Sequence, residues 1–437
     1  MKRDMEAISI FMYNDRNVHS LEVMILDEIR FIHTADLHLD SPFLGLHQLP
    51  EKLFRRLQES TFTAFERVVD AAIKKDVDFV LVAGDLFDGE DRSIKAQARL
   101  RRQLQRLGEK GIFVFITHGN HDHLAGDWVR LDMPENVHIF NENIEPYFFS
   151  ARNGMTVHIY GFSYPERHVL TRKIAEFEKV PGADLHIAML HGSEEGQSGA
   201  HQPYAPFTIR ELLYKDMDYW ALGHIHKRRI LHVDPYIVYP GNTQGRHRKE
   251  EGEKGCYFVK MSKEGQTELE FIETADVCWE TVRIDLRKEA GMTDLYTSCT
   301  AALESFGNRK QSILCQIILS NSRHLSKKVL KTIDNGEFIE MLQEESFLGS
   351  EFVWPYQIKF EETFVNEHSF ISDDAFLNVL EEAAKELENS DSFDQAISDL
   401  YEHTYASRYL DVLDKRQREE LLHSAKKQVL GRLSEKD

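Results

Sequence analysis

The sequence predicts an α/β chain: a large domain of alternating helices and strands, a smaller α+β domain after it, and a helical C-terminal region. Three observations carry this expectation. Helix-period stretches alternate with short apolar runs up to about residue 275; the pattern then changes to a few strand-like runs around one helical stretch; and from about Asp373 the chain becomes acidic and helix-forming. The size agrees, since 437 residues suggest two or three domains and 42% hydrophobic residues are enough to bury a sizeable core.

Residues 1–23 carry no clear periodicity, and Met24 stands just before the first strand-like segment at 29–34. They are therefore read as an N-terminal extension, and the first domain as 24–275. Leu53, Leu57, Phe65, Val69 and Ile73 recur at helical spacing; the run 79–83 predicts a strand, 94–107 a second helix and 112–116 the next strand. Further strands are expected at 157–160, 185–190 and 219–222, each bounded by Gly, Pro or polar turns, and the runs 256–261 and 269–273 close the domain. Strand-like runs at 279–286 and 312–320 around a helical stretch near 295–306 predict the smaller α+β domain, 276–370. The region 371–437 is expected to be helical and to end in a helix from about 410 to 433, where Leu410, Leu413, Leu421, Ala425, Val429 and Leu433 form an apolar stripe beside Lys415, Arg416, Arg418 and Lys426.

Composition excludes some classes. With 29% charged and 11% aromatic residues the chain is neither fibrous nor wholly disordered, and no run of eighteen apolar residues predicts a membrane span. Lys2 and Arg3 precede only a short apolar stretch without a small-residue cleavage site, so secretion is not expected. Cys256, Cys278, Cys299 and Cys315 show no CxxC spacing and are read as reduced packing residues of a cytoplasmic protein. The net charge of −20 makes the average surface repel nucleic acid, although local patches and bound cations can still attract a phosphate backbone.

Five short segments, each at the end of an expected strand, carry the chemistry: Asp36-Leu37-His38, Gly84-Asp85-Leu86-Phe87-Asp88, Gly119-Asn120-His121-Asp122, His191-Gly192 and Gly223-His224-Ile225-His226. An isolated DxH or GD says little, a GNH is often a turn, and a lone histidine is more often a hydrogen-bonded core residue than a ligand. Their conjunction is specific, because polar residues at strand ends gather at one rim of a sheet, where sites form. Imidazole, carboxylate and amide oxygen donors without thiolate suit Mn²⁺, Fe or Zn in a two-metal hydrolase rather than a structural zinc cage.

These blocks, over about residues 29–261, resemble the DxH, GDxxD, GNH[DE], H and GHxH pattern of the calcineurin-like metallophosphoesterases. Residues 31–38 look like the start of the SbcD-type DNA-repair nucleases, and Leu39-Asp40-Ser41-Pro42-Phe43 together with 239–247 resembles their YhaO-like branch. The resemblance implies a β-sandwich flanked by helices, with the α+β domain as a cap. It implies that Asp36, His38, Asp85 and His226 hold one divalent metal ion, most consistent with Mn²⁺, and that Asp85, Asn120, His191 and His224 hold the other. Asp85 would bridge ions about 4 Å apart, and metal-activated water, not a Ser or Cys, would attack the phosphorus. His121 would stabilise the developing charge or protonate the leaving oxygen, and Asp88 would accept a hydrogen bond from His121 and orient it. Some nucleases of the family carry a histidine where this chain has Asp88, which leaves the proton path open.

The function so implied is a DNA nuclease, an exonuclease acting in repair. The alternatives are a phosphodiesterase for a small phosphoester or cyclic nucleotide, and a non-catalytic scaffold for an ATPase. DNA is the expected partner, with a homodimer and an SMC-like coiled-coil ATPase docked on the residues after about 370 as further expectations. His33, His118, His123, His158 and His186 are read as packing residues or as supports of the ligands. Arg99, Arg101, Arg102 and Arg106 are read as a solvated helix face, and Arg246, His247, Arg248 and Lys249 as either a solvated turn or a contact to DNA phosphates.

Overall fold

A computed structural model describes residues 27–361 and 374–402, apart from 44–45, 47–48, 90–92, 127–130, 197–203, 287–290, 308, 323–324, 346–350 and 389–390, together with scattered positions between 413 and 426. The extension 1–23 and most of the expected helix 410–433 lie outside the described residues. The chain divides into two compact units, Met1–Lys359 and Phe360–Asp437.

The first unit begins with β1 (Glu28–Thr34), α1 (Glu51–Lys75), β2 (Phe79–Ala83), α2 (Ile94–Gly108), β3 (Phe113–Thr117) and β4 (Val137–Ile139). It continues with β5 (Glu145–Ser150), β6 (Thr156–Gly161), β7 (Leu185–His191), α3 (Ile209–Tyr214), β8 (Tyr219–Gly223), β9 (Arg229–Val233), β10 (Tyr236–Tyr239), β11 (Gly255–Ser262) and β12 (Thr267–Glu273). These strands make two six-stranded sheets, in the orders β12-β11-β1-β2-β3-β4 and β5-β6-β7-β8-β10-β9. The first is parallel from β1 to β4 and antiparallel on the β11-β12 side; the second is parallel from β6 through β7 and β8 to β10, with antiparallel edge strands β5 and β9.

The apolar runs are near-continuous because both faces of each sheet are covered. Along β2, Phe79, Leu81 and Ala83 face the second sheet and join Phe31, Phe115, Ile159, Ile187 and Met189 in one core, whereas Val80 and Val82 face α1 and α2 with Leu100, Leu104, Val68 and Val69. On the far side of the second sheet Tyr160, Leu190, Trp220 and Tyr239 pack with Phe177 and Leu212. Each such fully buried aliphatic or aromatic side chain contributes about 1.5–3 kcal/mol. α2 starts where Ser93 accepts a hydrogen bond from the Ala96 N–H at 3.0 Å, and α1 stops at Asp76, whose backbone is left-handed (φ 49°). The expected sandwich flanked by helices is therefore formed. In these two sheets the strands missed by the sequence reading are β4, β5 and β9, which are mixed with charged or polar residues, and β10, which is only four residues long.

A third sheet follows, of order β13-β14-β15, from β13 (Val277–Asp285), α4 (Met292–Glu304), β14 (Ser312–Ser320), α5 (Lys327–Asp334), α6 (Glu337–Glu345) and β15 (Val353–Phe360). It is packed against the N-terminal half of α1: Leu53 and Leu57 meet Val277, Trp279, Leu314, Phe352 and Trp354. At the junction Asp276 takes Arg56 at 3.0 Å and Arg67 at 2.9 Å. The four cysteines are free and buried, and burial pushes each thiol up to about 12.

In the second unit α7 (Asp374–Glu388) and α8 (Asp391–Glu402) pair, and Arg418 reaches Asp394 at 2.7 Å. Among the described residues no helix is long and apolar enough to cross a membrane.

Candidate metal centre

The chemistry-bearing segments all follow the C-terminal ends of parallel strands: β1, β2 and β3 in the first sheet, β7 and β8 in the second. Asp36 and His38 lie just past β1, Asp85 and Asp88 past β2, Asn120 and His121 past β3; His191 ends β7 and His224 and His226 follow β8. The turns after β1 and β2 run side by side, with Asp36 N–H donating to the Gly84 carbonyl at 3.1 Å and His38 N–H to that of Asp85 at 3.0 Å.

The backbone there is under constraint. Asp36, His38, Asp85 and His224 all have left-handed φ (51°, 43°, 50° and 97°), a conformation that costs non-glycine residues free energy and collects at functional sites. Gly119 and Gly223 are needed for close approach: a Cβ on Gly119 would fall on the Asp85 carboxylate and the His191 ring, and one on Gly223 on the Ala83 carbonyl oxygen.

The donor atoms converge in two groups. Asp36, His38 and His226 form one and Asp85, His191 and His224 the other, with the atoms of each group within 4.8 Å of one another. Asp85 stands between them, Oδ2 being 3.3 Å from His191 Nε2 and 3.8 Å from His38 Nε2. Asn120 Oδ1 lies 3.1 Å from both His191 Nε2 and His224 Nδ1. Asp36 accepts the His224 N–H at 3.0 Å, which ties the two groups together.

Three of the four imidazoles are braced through the other ring nitrogen. His191 Nδ1–H donates to the Ala83 carbonyl at 3.0 Å, His226 Nδ1–H to Glu250 at 2.6 Å, and His38 Nδ1 is 3.0 Å from Asp88 Oδ1. The Nε2 atoms of His38 and His226 lie 3.0 Å apart, and with Asp36 they are close enough to face one cation. The donor set thus fits a pair of divalent metals. Burial holds His38 and His224 down to about 3, so both are neutral donors near neutral pH. Burial opposes ionisation of Asp85 and protonation of His191, yet their contact overrides it: the carboxyl is held well below its ordinary value and the imidazole raised to about 9. Burial raises Asp36 against the pull of His226 and His191.

A family model described as calcineurin-like phosphoesterase matches residues 29–228. The chain is also 39% identical over 405 residues to the metallophosphoesterase YhaO of Bacillus subtilis, covering 92% of this chain and 97% of that one. It belongs to the calcineurin-like metallophosphoesterases. Lower similarity extends to proteins named DNA double-strand break repair protein Mre11. The one from Methanocaldococcus jannaschii is 26% identical, covering 71% of this chain and 84% of its own length, and that from Methanopyrus kandleri is 24% identical, covering 56% and 57%.

Within this metallophosphoesterase, the seven expected ligands stand together and His121 beside them, 31% exposed. One expectation needs correction. The hydrogen bond that orients His121 goes to the backbone oxygen of Asp88, at 3.2 Å from Nδ1, while the Asp88 carboxylate is 3.9 Å away. That carboxylate is engaged by His38, by the Ser41 hydroxyl at 3.0 Å and by Arg246. Burial would raise Asp88, but the hydrogen bond from His38 and the Arg246 charge hold it at about 2. Arg246 is correspondingly turned inward, which removes it from the basic cluster considered for DNA phosphates; Arg248 reaches Gln357 at 3.5 Å.

Of the other histidines, His118 is bonded to Asp122 at 2.9 Å, and His33 to Tyr219 at 3.0 Å behind the rim. Arg99 and Arg106 pair with Glu59 and Asp70 of α1, as a solvated face would. Glu250 was missed. It sits in the run Arg246-His247-Arg248-Lys249-Glu250-Glu251, which reads as solvated, yet it is buried and accepts from Asn242 and the Arg246 backbone at 2.9 and 2.7 Å. No signal in the sequence separates it from Glu251.

Proposed function

We propose that this metallophosphoesterase is a DNA nuclease, an exonuclease using two Mn²⁺ ions to hydrolyse phosphodiester bonds. The observation that carries the reading is the pair of donor groups sharing Asp85, with the partly exposed His121 at their edge. Asp36, His38, Asp85 and His226 would hold one ion and Asp85, Asn120, His191 and His224 the other. When bound, the two ions supply activation of water and neutralisation of phosphoryl charge. His121, fixed through Nδ1, is placed to stabilise charge or to give a proton to the leaving oxygen, so His121→Ala should keep its metals and lose about 10²-fold in rate. Retention of the parent rate by that variant would remove His121 from the mechanism.

The nuclease reading draws on the similarity to proteins named Mre11. We divide the chain functionally into a phosphoesterase domain, 24–275, a cap, 276–370, and a helical region, 371–437, on which an SMC-like ATPase would dock. Purified protein incubated with end-labelled single- and double-stranded DNA and Mn²⁺, beside a generic phosphodiester, tests the reading. Progressive shortening of DNA, abolished by a chelator, is expected; hydrolysis of the small phosphodiester alone would make the protein a small-phosphoester hydrolase. Truncation at Asn389 should abolish co-purification with the ATPase and spare hydrolysis of the small ester.

A further inference from the structure

Around the first ion position runs a closed circuit of contacts that the two-ion reading leaves unused. The Arg246 guanidinium pairs with Asp88 Oδ1 and stands 4.0 Å from Glu250 Oε1, while its backbone N–H donates to Glu250 Oε2 at 2.7 Å. These two carboxylates hold the far nitrogens of His38 (3.0 Å) and His226 (2.6 Å), whose near nitrogens face each other at 3.0 Å. The circuit is therefore His38, Asp88, Arg246, Glu250, His226 and back to His38.

Two further observations bear on the arginine. Its side chain is only 13% exposed and its Nε finds no hydrogen-bond partner, so the guanidinium is drawn inward by the carboxylates rather than by a demand of its own donors. Asp88 also makes, with His38 and His121, a third group of donors close enough to take a cation. The guanidinium already paired with that carboxylate puts a fixed positive charge there.

We propose that Arg246 is a positioning residue for the first ion: it holds the Asp88 carboxylate against His38 and the Glu250 carboxylate against His226, and it keeps Asp88 from becoming a ligand. The inference rests on the two-ion reading. A guanidinium suits the task because its planar fork reaches two carboxylates at once, which a lysine ammonium does not. Loss of such outer partners typically weakens metal affinity by about 10–100-fold.

The test is titration of the metal-free full chain with Mn²⁺, followed by calorimetry and by the Mn²⁺ paramagnetic resonance signal. The parent should take up two equivalents. Arg246→Met should bind one with parental affinity and the other about 10–100-fold more weakly. Arg246→Lys, which keeps the charge, should rescue that loss only in part, and Asp88→Asn added to Arg246→Met should recover part of it by removing the uncompensated carboxylate. Unchanged affinities for both equivalents in Arg246→Met overturn the inference and leave the two-ion reading standing, as does equal weakening of both. If Arg246→Met does not fold, Arg246→Lys decides: parental affinity at both positions overturns the inference. Fewer than two equivalents in the parent defeats the two-ion reading and this inference with it.

Discussion

The two donor groups of the candidate metal centre are oriented by different means. In the half built on β7, His191 is aimed by the main chain, its Nδ1–H donating to the Ala83 carbonyl at the end of β2. In the half that follows β1 and β8, His38 and His226 are aimed by the side chains of Asp88 and Glu250. The first arrangement is a consequence of two sheets meeting, and no side-chain substitution deletes a backbone carbonyl. The second depends on loop side chains, so it can be tuned, or lost, one residue at a time. A carboxylate also makes an imidazole a stronger donor than a carbonyl does.

The largest test of that contrast removes what the halves share. Asp85→Ala should lose both ions and all turnover, and elemental analysis showing two retained metals would refute the bridging role. Gly223→Ala strikes the half aimed by backbone: its Cβ would fall on the Ala83 oxygen that accepts from His191. The second ion should be lost and the melting temperature lowered, whereas a variant with normal metal content would show that the carbonyl contact is dispensable. Glu250→Gln strikes the other half and should weaken one ion by about 10–100-fold while sparing its neighbour; loss of both in a calorimetric titration would erase the distinction.

The last test lies outside both halves. Burial lowers His33 to about 3 from the ordinary 6.5, with the Leu222 carbonyl pulling the other way. The unfolded chain therefore binds one more proton than the folded one between those values, and stability present above pH 6.5 is lost as the pH falls toward 3. The slope from this group approaches about 1.4 kcal/mol per pH unit. Denaturant titrations of His33→Asn between about pH 6 and pH 4 should show a slope shallower by one proton. An identical slope would mean that His33 is not what senses acid.

The contrast also explains what could be read from the sequence. Asp36, His38, Asp85, Asn120, His191, His224 and His226 were legible because each sits within a residue or a few of a strand end, and strand ends are marked by apolar runs and glycines. The parallel centres of both sheets were legible for the same reason. The supports of the tunable half were not: Glu250 and Arg246 lie in a charged run whose burial arises only when the loop folds back on β13, a tertiary event without local periodicity. Asp88 was singled out, but its carboxylate serves His38 rather than His121, because four residues from three segments compete for it and spacing does not rank them. The edge strand β9, Arg229-Ile230-Leu231-His232-Val233, was missed because charge interrupts its alternation.

The loop from β10 to β11 has two attachments. On one side it carries Glu250; on the other, Gln244 Oε1 accepts the Asp276 N–H at 2.8 Å and the Trp279 indole donates to the Gly245 carbonyl at 3.1 Å, at the start of β13. The third sheet and the His226 imidazole are thus linked through a handful of bonds. The seating of the third sheet and the placement of the carboxylate 2.6 Å from His226 therefore depend on one and the same loop.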